Sequence, residues 1–286
     1  MKDQAKKVIG GVASRLMPKT ASNLANGYKV PHSMLDKLMV NSMIQEAAEE
    51  GDFRVLRNQL KSFWQGVEGD FFYDAYPERF KEWFLGDHQA VFTRLKKVIE
   101  QSEGKFQHIV EIGCGDGKVL SYLTSMLPSI HSFTGLDINE GVIERNKASY
   151  NISRLKFHCG DAAEWMEEYI RPGTIVMCYG GVLEYFLESE VRKLYATLCH
   201  ESPVGVLLVE PLDRSYDLAV ETASRPAGLE NSFSHHHERM LTDAGFDIDH
   251  FEEIENEFRW TSVLAFNPAL EGFGSGTIGD KAKLHI

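Results

Sequence analysis

Five mostly apolar residues, His108-Ile109-Val110-Glu111-Ile112, run without interruption into Gly113-Cys114-Gly115-Asp116-Gly117. A strand that ends in alternating glycines and continues as a helix turns tightly. It brings backbone amides and the positive end of the helix up to a polar ligand, an approach that any side chain at 113 or 115 would obstruct. Such a segment belongs to an open sheet whose ligand lies in the crevice at the strand ends. The spacing is not that of a dinucleotide fingerprint, which requires Gly or Ala at 118. Lys118 stands there, and the third glycine comes one position early. Glu111 is poorly suited to a pyrophosphate and well suited to an ammonium group.

From His108 onward, short β-branched runs alternate with amphipathic stretches, the pattern of repeated βα units and a parallel sheet. It predicts strands at 108–112, 132–137, 155–159, 174–179 and 205–210, with helices near 117–127, 140–151, 162–169 and 189–200. Residues 1–100 carry Met, Lys, Glu, Gln and aromatics at helical spacing, with helices expected at roughly 32–48, 53–64, 77–85 and 88–101. That region reads as a helical cap on a domain spanning 101–270. Leu212 to Ser234 has no clean period and reads as an insertion. A helix is expected from Phe233 to Ala244, ended by Gly245, then an antiparallel hairpin of strands 246–254 and 258–266 turning at Asn256. Residues 271–286, opening with Glu271-Gly272-Phe273-Gly274-Ser275-Gly276, read as a flexible tail. The expected class is α/β: a doubly wound, mostly parallel seven-stranded sheet, Rossmann-like, with a C-terminal hairpin and an N-terminal cap.

Glu111-Ile112-Gly113-Cys114-Gly115-Asp116-Gly117 resembles the E/D-x-G-x-G-x-G motif of class I S-adenosylmethionine-dependent methyltransferases, and further positions follow in the family's order. Asp137 closes the second strand 26 residues after Glu111, where the family's acid accepts the ribose hydroxyls. Asp161, in Gly160-Asp161-Ala162, stands where an acid receives the adenine amino group. Cys178-Tyr179-Gly180-Gly181-Val182-Leu183-Glu184-Tyr185 is similar to the loop beneath the methylsulfonium. Phe71-Phe72-Tyr73-Asp74-Ala75-Tyr76 resembles a segment that closes over the cofactor, and Leu241-Thr242-Asp243-Ala244-Gly245-Phe246 one that precedes the final hairpin. The resemblance covers about 70–267. It implies S-adenosyl-L-methionine as cofactor, held by Tyr73, Glu111, Gly113, Cys114, Gly115, Asp137, Ile138, Asp161, Ala162 and Tyr179. It also implies methyl transfer to a small-molecule acceptor whose reacting atom, N, O or C, no motif names. A non-catalytic cofactor-binding scaffold, or another reaction of the same fold with S-adenosylmethionine or NAD, remains the alternative.

For removal of a proton from the acceptor, His235, His236, Tyr179 and Glu210 are the candidates; imidazole suits deprotonation near neutrality, and Glu210 ends the fifth strand at the crevice. His235-His236-His237 does not read as a metal site, because consecutive helical residues point about 100° apart, and no metal is expected. Phe63, Trp64, Phe71, Phe72, Trp83 and Phe84 read as packing that could serve together as an apolar lid.

Composition narrows the partners. With 42 acidic against 30 basic side chains, a net charge of −12 repels phosphate backbones, so nucleic acid is not expected. Cys114, Cys159, Cys178 and Cys199 form no CxxC pair, which suits reduced thiols in a cytoplasmic protein. The longest apolar run, Val204 to Val209, is strand-sized, and Met1 to Arg15 lacks the apolar stretch of a signal peptide. Neither membrane nor secretion is expected, and a homodimer is left open.

Overall fold

The computed structural model describes residues 2–66, 78, 80–227 and 231–267. Tyr73 with its segment Phe71–Tyr76, and the tail from 271, lie outside the described residues.

Four helices lead the chain: α1 (Lys2–Leu16), α2 (Pro18–Ala25), α3 (Met34–Glu49) and α4 (Arg54–Gln65). The first two, within residues 1–31, add to the helices that the spacing picks out from about residue 32 onward. They pack through small residues: Ala13, Ala21 and Leu24 meet Met39 and Val40 in a small core of their own, while the large apolar side chains Val8, Ile9, Val12 and Leu16 stay exposed. Ser33 starts α3 with a capping box, its hydroxyl accepting the Asp36 amide at 3.0 Å while the Asp36 carboxylate accepts the Ser33 amide at 3.2 Å. A π-helical segment (Phe80–Asp87) leads into α5 (Gln89–Gln101).

The βα repeat follows as β1 (His108–Ile112), α6 (Lys118–Met126), β2 (Ser132–Asp137), α7 (Glu140–Ser149), β3 (Leu155–Cys159), α8 (Ala162–Tyr169), β4 (Thr174–Tyr179), α9 (Glu188–His200) and β5 (Val204–Pro211). A hairpin of β6 (Arg225–Ala227) and β7 (Ser232–Ser234), then α10 (His237–Ala244), β8 (Asp247–Glu255) and β9 (Arg259–Phe266), complete it. The helix expected from Phe233 begins only at His237, because Phe233 pairs with Pro226 in the β6–β7 ribbon.

The seven-stranded sheet has the order β3-β2-β1-β4-β5-β9-β8. β1 through β5 run parallel, and β9 joins β5 antiparallel, as β8 joins β9. Strand alternation divides the core. Ile109, Ile175, Met177, Leu207 and Val209 face one layer with Phe92, Leu95 and Leu120, while Val110, Val176, Val206 and Leu208 face the other with Leu194, Leu198 and Leu241. Each such side chain contributes about 1.5–3 kcal/mol on burial. The sheet order reverses between β1 and β4, where a crevice opens at the carboxyl ends of the strands. Among the described residues no helix is long and apolar enough to cross a membrane.

Candidate active site

The glycine turn after β1 is built to approach something closely. Gly113 has φ +67°, and a Cβ there would lie 2.5 Å from a Val182 methyl; Gly117, at φ +71°, would put one 2.8 Å from the Phe157 ring. Both positions thus exclude a side chain by conformation and by contact. Gly113→Ala is expected to cost about 1–3 kcal/mol of stability, from the left-handed backbone and the displaced Val182, and chemical denaturation measures it. The rest of the turn is tied down from outside. The Cys114 amide donates to the Leu136 carbonyl at 2.9 Å, the Asn146 side chain to the Gly115 carbonyl at 2.6 Å, and the Tyr150 hydroxyl to the Asp116 carbonyl at 2.9 Å.

Asp137, at the end of β2, joins this turn to the next. One carboxylate oxygen accepts the Gly115 amide at 3.0 Å and the other the Asn139 amide at 2.9 Å. Asn139 in turn caps α7 by accepting the Val142 amide at 3.1 Å, and its amide group donates to the carbonyls of Trp64 and Gly66, both at 3.1 Å. The end of α4 is thereby fastened to the strand ends. Asp161 caps α8 through the Ala163 amide at 3.0 Å and pairs with the Lys61 ammonium at 2.7 Å. Burial pushes this carboxyl's pKa up, but Lys61 and the Ala163 amide outweigh burial and hold it below the ordinary range.

These groups share one cavity of about 520 Å³. Glu111, Gly113, Cys114, Gly115, Asp137, Ile138, Asp161, Ala162 and Tyr179 all line it, so every described residue that the sequence nominated for the cofactor lies on a single surface. The Cys114 thiol is pushed well above its usual pKa by burial and by the charges of Asp137 and Glu111, so it remains a thiol. Arg57, Lys61 and Trp64 of α4 also line the cavity. Sequence reasoning passed over the two cations, since Lys61 and Asp161 are 100 residues apart and no local pattern links them.

The nominated catalytic residues part company. Tyr179 lines the cavity, and its hydroxyl lies 3.0 Å from Nδ1 of His88. His88 is fully buried, and burial lowers its pKa to about 4, so its ring is neutral at pH 7. Glu210, His235 and His236 are not among the lining residues. Glu210 lies beneath the loop after β4 and accepts the amides of Val182, Leu183 and Glu184 at 3.0, 3.0 and 3.3 Å. Burial and the nearby Glu184 push its pKa up to about 8, against the pull of those amides. His235 grips the same loop from the other side. Nε2 lies 3.0 Å from the Leu183 carbonyl, which can only accept, so Nε2 carries the proton and Nδ1 accepts from the Ser224 hydroxyl at 2.6 Å. His236 caps α10, Nδ1 accepting the Arg239 amide at 3.3 Å, which leaves Nε2 to donate to the Leu218 carbonyl at 3.1 Å. Both rings serve the loops around the cavity.

Comparison with known proteins agrees with this geometry. Residues 109–200 match the family model described as a methyltransferase domain, and no curated protein matches the chain. Magnesium protoporphyrin IX methyltransferase from Synechocystis PCC 6803 shares the fold. Its structure with bound S-adenosylmethionine superposes with a TM-score of 0.51 at 15% identity, covering 74% of this chain and 96% of that one. The form with bound S-adenosylhomocysteine gives 0.52 at 15%, covering 74% and 99%. Residues 109–200 match a methyltransferase domain, and the likeness to these solved structures shows that the chain has the fold of an S-adenosylmethionine-dependent methyltransferase.

Proposed function

We propose that the protein transfers the methyl group of S-adenosylmethionine to a small-molecule acceptor by in-line displacement. The carrying observation is the continuity of the cavity: its polar end, at the termini of β1, β2 and β3, runs directly into an aromatic end formed by Phe80, Trp83, Tyr179, Phe258 and Trp260. When bound, the cofactor supplies an electrophilic methyl on a sulfonium, so no covalent intermediate on the protein is needed.

The residues fit that group. The turn presents Gly113 and Gly115 on the cavity wall, and Glu111, 2% exposed, presents a carboxylate to an ammonium. Asp137 accepts a backbone amide on each oxygen, and a carboxylate at that strand end suits a pair of ribose hydroxyls. Asp161 and Lys61 together offer an acceptor and a donor to the edge of a purine. On the acceptor side, His88 fixes the Tyr179 ring, which makes Tyr179 the nominated group that touches the acceptor and His88 a positioning residue. Glu210 and His235 hold the loop 182–186 in place from behind. The work left to the protein is alignment and exclusion of water, which together account for much of the barrier reduction in bimolecular transfers.

Calorimetric titration tests the cofactor end. S-adenosylmethionine and S-adenosylhomocysteine are expected to bind and NAD to fail; tight NAD binding with no response to S-adenosylmethionine would overturn the reading. Mass spectrometry of molecules co-purified with S-adenosylhomocysteine then addresses the acceptor.

A further inference from the structure

Methyl transfer accounts for the polar end of the cavity but leaves the composition of its other end unexplained. Trp83, on the π-helical segment, lies 5.8 Å from Phe258 and 5.4 Å from Trp260, ring to ring, and the latter two are 6.4 Å apart. The register Pro211↔Trp260 sets this trio at the carboxyl end of β5, on the crevice side. Phe80 and Tyr179 extend the same wall. A surface of this kind buries a flat ring well and adds about 0.5–1.5 kcal/mol per aromatic pair beyond area alone.

The charges point the same way. Among the described residues, five acids (Glu111, Asp116, Asp137, Asp161, Glu184) and three cations line the cavity. Each cation is already in an ion pair, Arg57 with Glu190 and Lys61 with Asp161 at 2.7 Å, and Lys118 with Asp116 at 2.9 Å. The pairs of Lys61 and Lys118 belong to the cofactor end, at the starts of α8 and α6. His88, 5.0 Å from Trp260, is neutral and adds no positive charge to the wall. An acceptor carboxylate or phosphate would therefore meet aromatic faces and, among the described residues, no lining cation outside an existing ion pair, and would lose hydration without gaining a counter-ion. A neutral ring meets no such penalty, and the hydration a cationic ring loses is offset by its attraction to the aromatic faces.

Resting on the methyltransferase reading above, we propose that the acceptor is a planar aromatic molecule carrying no negative charge, seated against Phe80, Trp83, Tyr179, Phe258 and Trp260. The test uses three probes of one size, 2-naphthol, N-methylquinolinium and 2-naphthoate, titrated by tryptophan fluorescence into protein saturated with S-adenosylhomocysteine. 2-Naphthol and N-methylquinolinium are expected to bind at least about tenfold more tightly than 2-naphthoate. Phe258→Ala and, separately, Trp83→Leu are expected to weaken 2-naphthol by at least about fivefold while S-adenosylhomocysteine affinity stays within about twofold. Phe258 is 46% exposed, so its replacement keeps the core intact and supplies a readout even if the Trp83 variant fails to fold. Equal or tighter binding of 2-naphthoate, or unchanged 2-naphthol binding in the Phe258 variant, overturns the acceptor class while leaving the cofactor reading standing. Failure of the wild-type protein to bind S-adenosylhomocysteine overturns both.

Discussion

Between pH 6.5 and about 4.5 the protein is expected to lose roughly 5 kcal/mol of stability, with a maximum near pH 6.5 and a shallower decline above it. The cause is a set of buried histidines. His88 and His235 have their pKa lowered from 6.5 to about 4, in both cases chiefly by burial, and His237, beside the Tyr195 hydroxyl at 2.8 Å, is driven well below its usual value by burial and by the neighbouring His235 and His236. A folded-state pKa below the unfolded value means that the unfolded chain binds protons first. Stability from these groups is present above 6.5 and is lost as the pH falls. Three such groups give a slope of about 4 kcal/mol per pH unit. Glu210 works against them: its pKa is raised from 4.5 to about 8, so its contribution is complete below 4.5 and lost as the pH rises toward 8. That removes about 1.4 kcal/mol per unit from the slope below 6.5 and leaves the decline above it. Carboxyls held low, such as Asp161 and Glu188, add their loss only at pH values below about 4.5. For a domain of ordinary stability, about 5–15 kcal/mol, the acid limb is enough to unfold much of the population. Urea denaturation from pH 4.5 to 8.5 measures the profile. His88→Phe should reduce the acid slope by about one proton's worth, and Glu210→Gln should flatten the limb above 6.5. A level profile from 5 to 6.5 would contradict the assignment of these rings as neutral and buried.

The same histidines mark the limit of what the sequence made legible. The strand–glycine–helix turn and the acids after β2 and β3 were readable as positions on one cavity because each belongs to a local unit, a strand end with its own turn. The strands themselves were readable because β-branched runs between turns have few other uses. His235 and His236 looked catalytic because imidazole chemistry is plausible wherever it stands. What they do depends on Leu183, Ser224 and Leu218, which only the tertiary fold brings near. Glu210 was correctly set at the carboxyl end of β5, but alternation alone could not tell whether it faced the crevice or the underside of the β4 loop. The aromatic wall was hidden for a related reason. Phe258 and Trp260 were visible as the turn and start of a hairpin strand, and Trp83 as a helix residue, but the contact between them needs β9 to add antiparallel beside β5. Lys61 had no visible role, because ion-pair partners distant in sequence leave no period and no motif.

Asp137→Ala is expected to weaken binding of S-adenosylmethionine by at least about tenfold, some 1.4 kcal/mol, and to cost about 2–5 kcal/mol of stability in the unliganded protein. The second figure comes from the fold alone. Asp137 is 9% exposed and serves the amides of Gly115 and Asn139; removing the carboxylate leaves two enclosed N–H groups without an acceptor, each worth about 1–3 kcal/mol. Asp137→Asn should be intermediate, since its one carbonyl oxygen can satisfy one amide while its NH₂ opposes the other. Loss of affinity could arise directly, through lost bonds to ribose, or indirectly, through a loosened glycine turn, and a double-mutant cycle separates the two. The probe is S-adenosylhomocysteine against its 2′,3′-dideoxy analogue, each titrated into wild type and Asp137→Ala. If the carboxylate bonds the ribose hydroxyls, wild type discriminates between the two ligands by at least about tenfold and the variant by much less, because the partner of the hydroxyls is gone from both sides of the comparison. If Asp137 acts only by holding the turn, both ligands lose affinity equally and the discrimination persists. That second result would leave the structural role intact, remove the ribose assignment, and move attention to Ile138 and Asn139, which line the same stretch of the cavity.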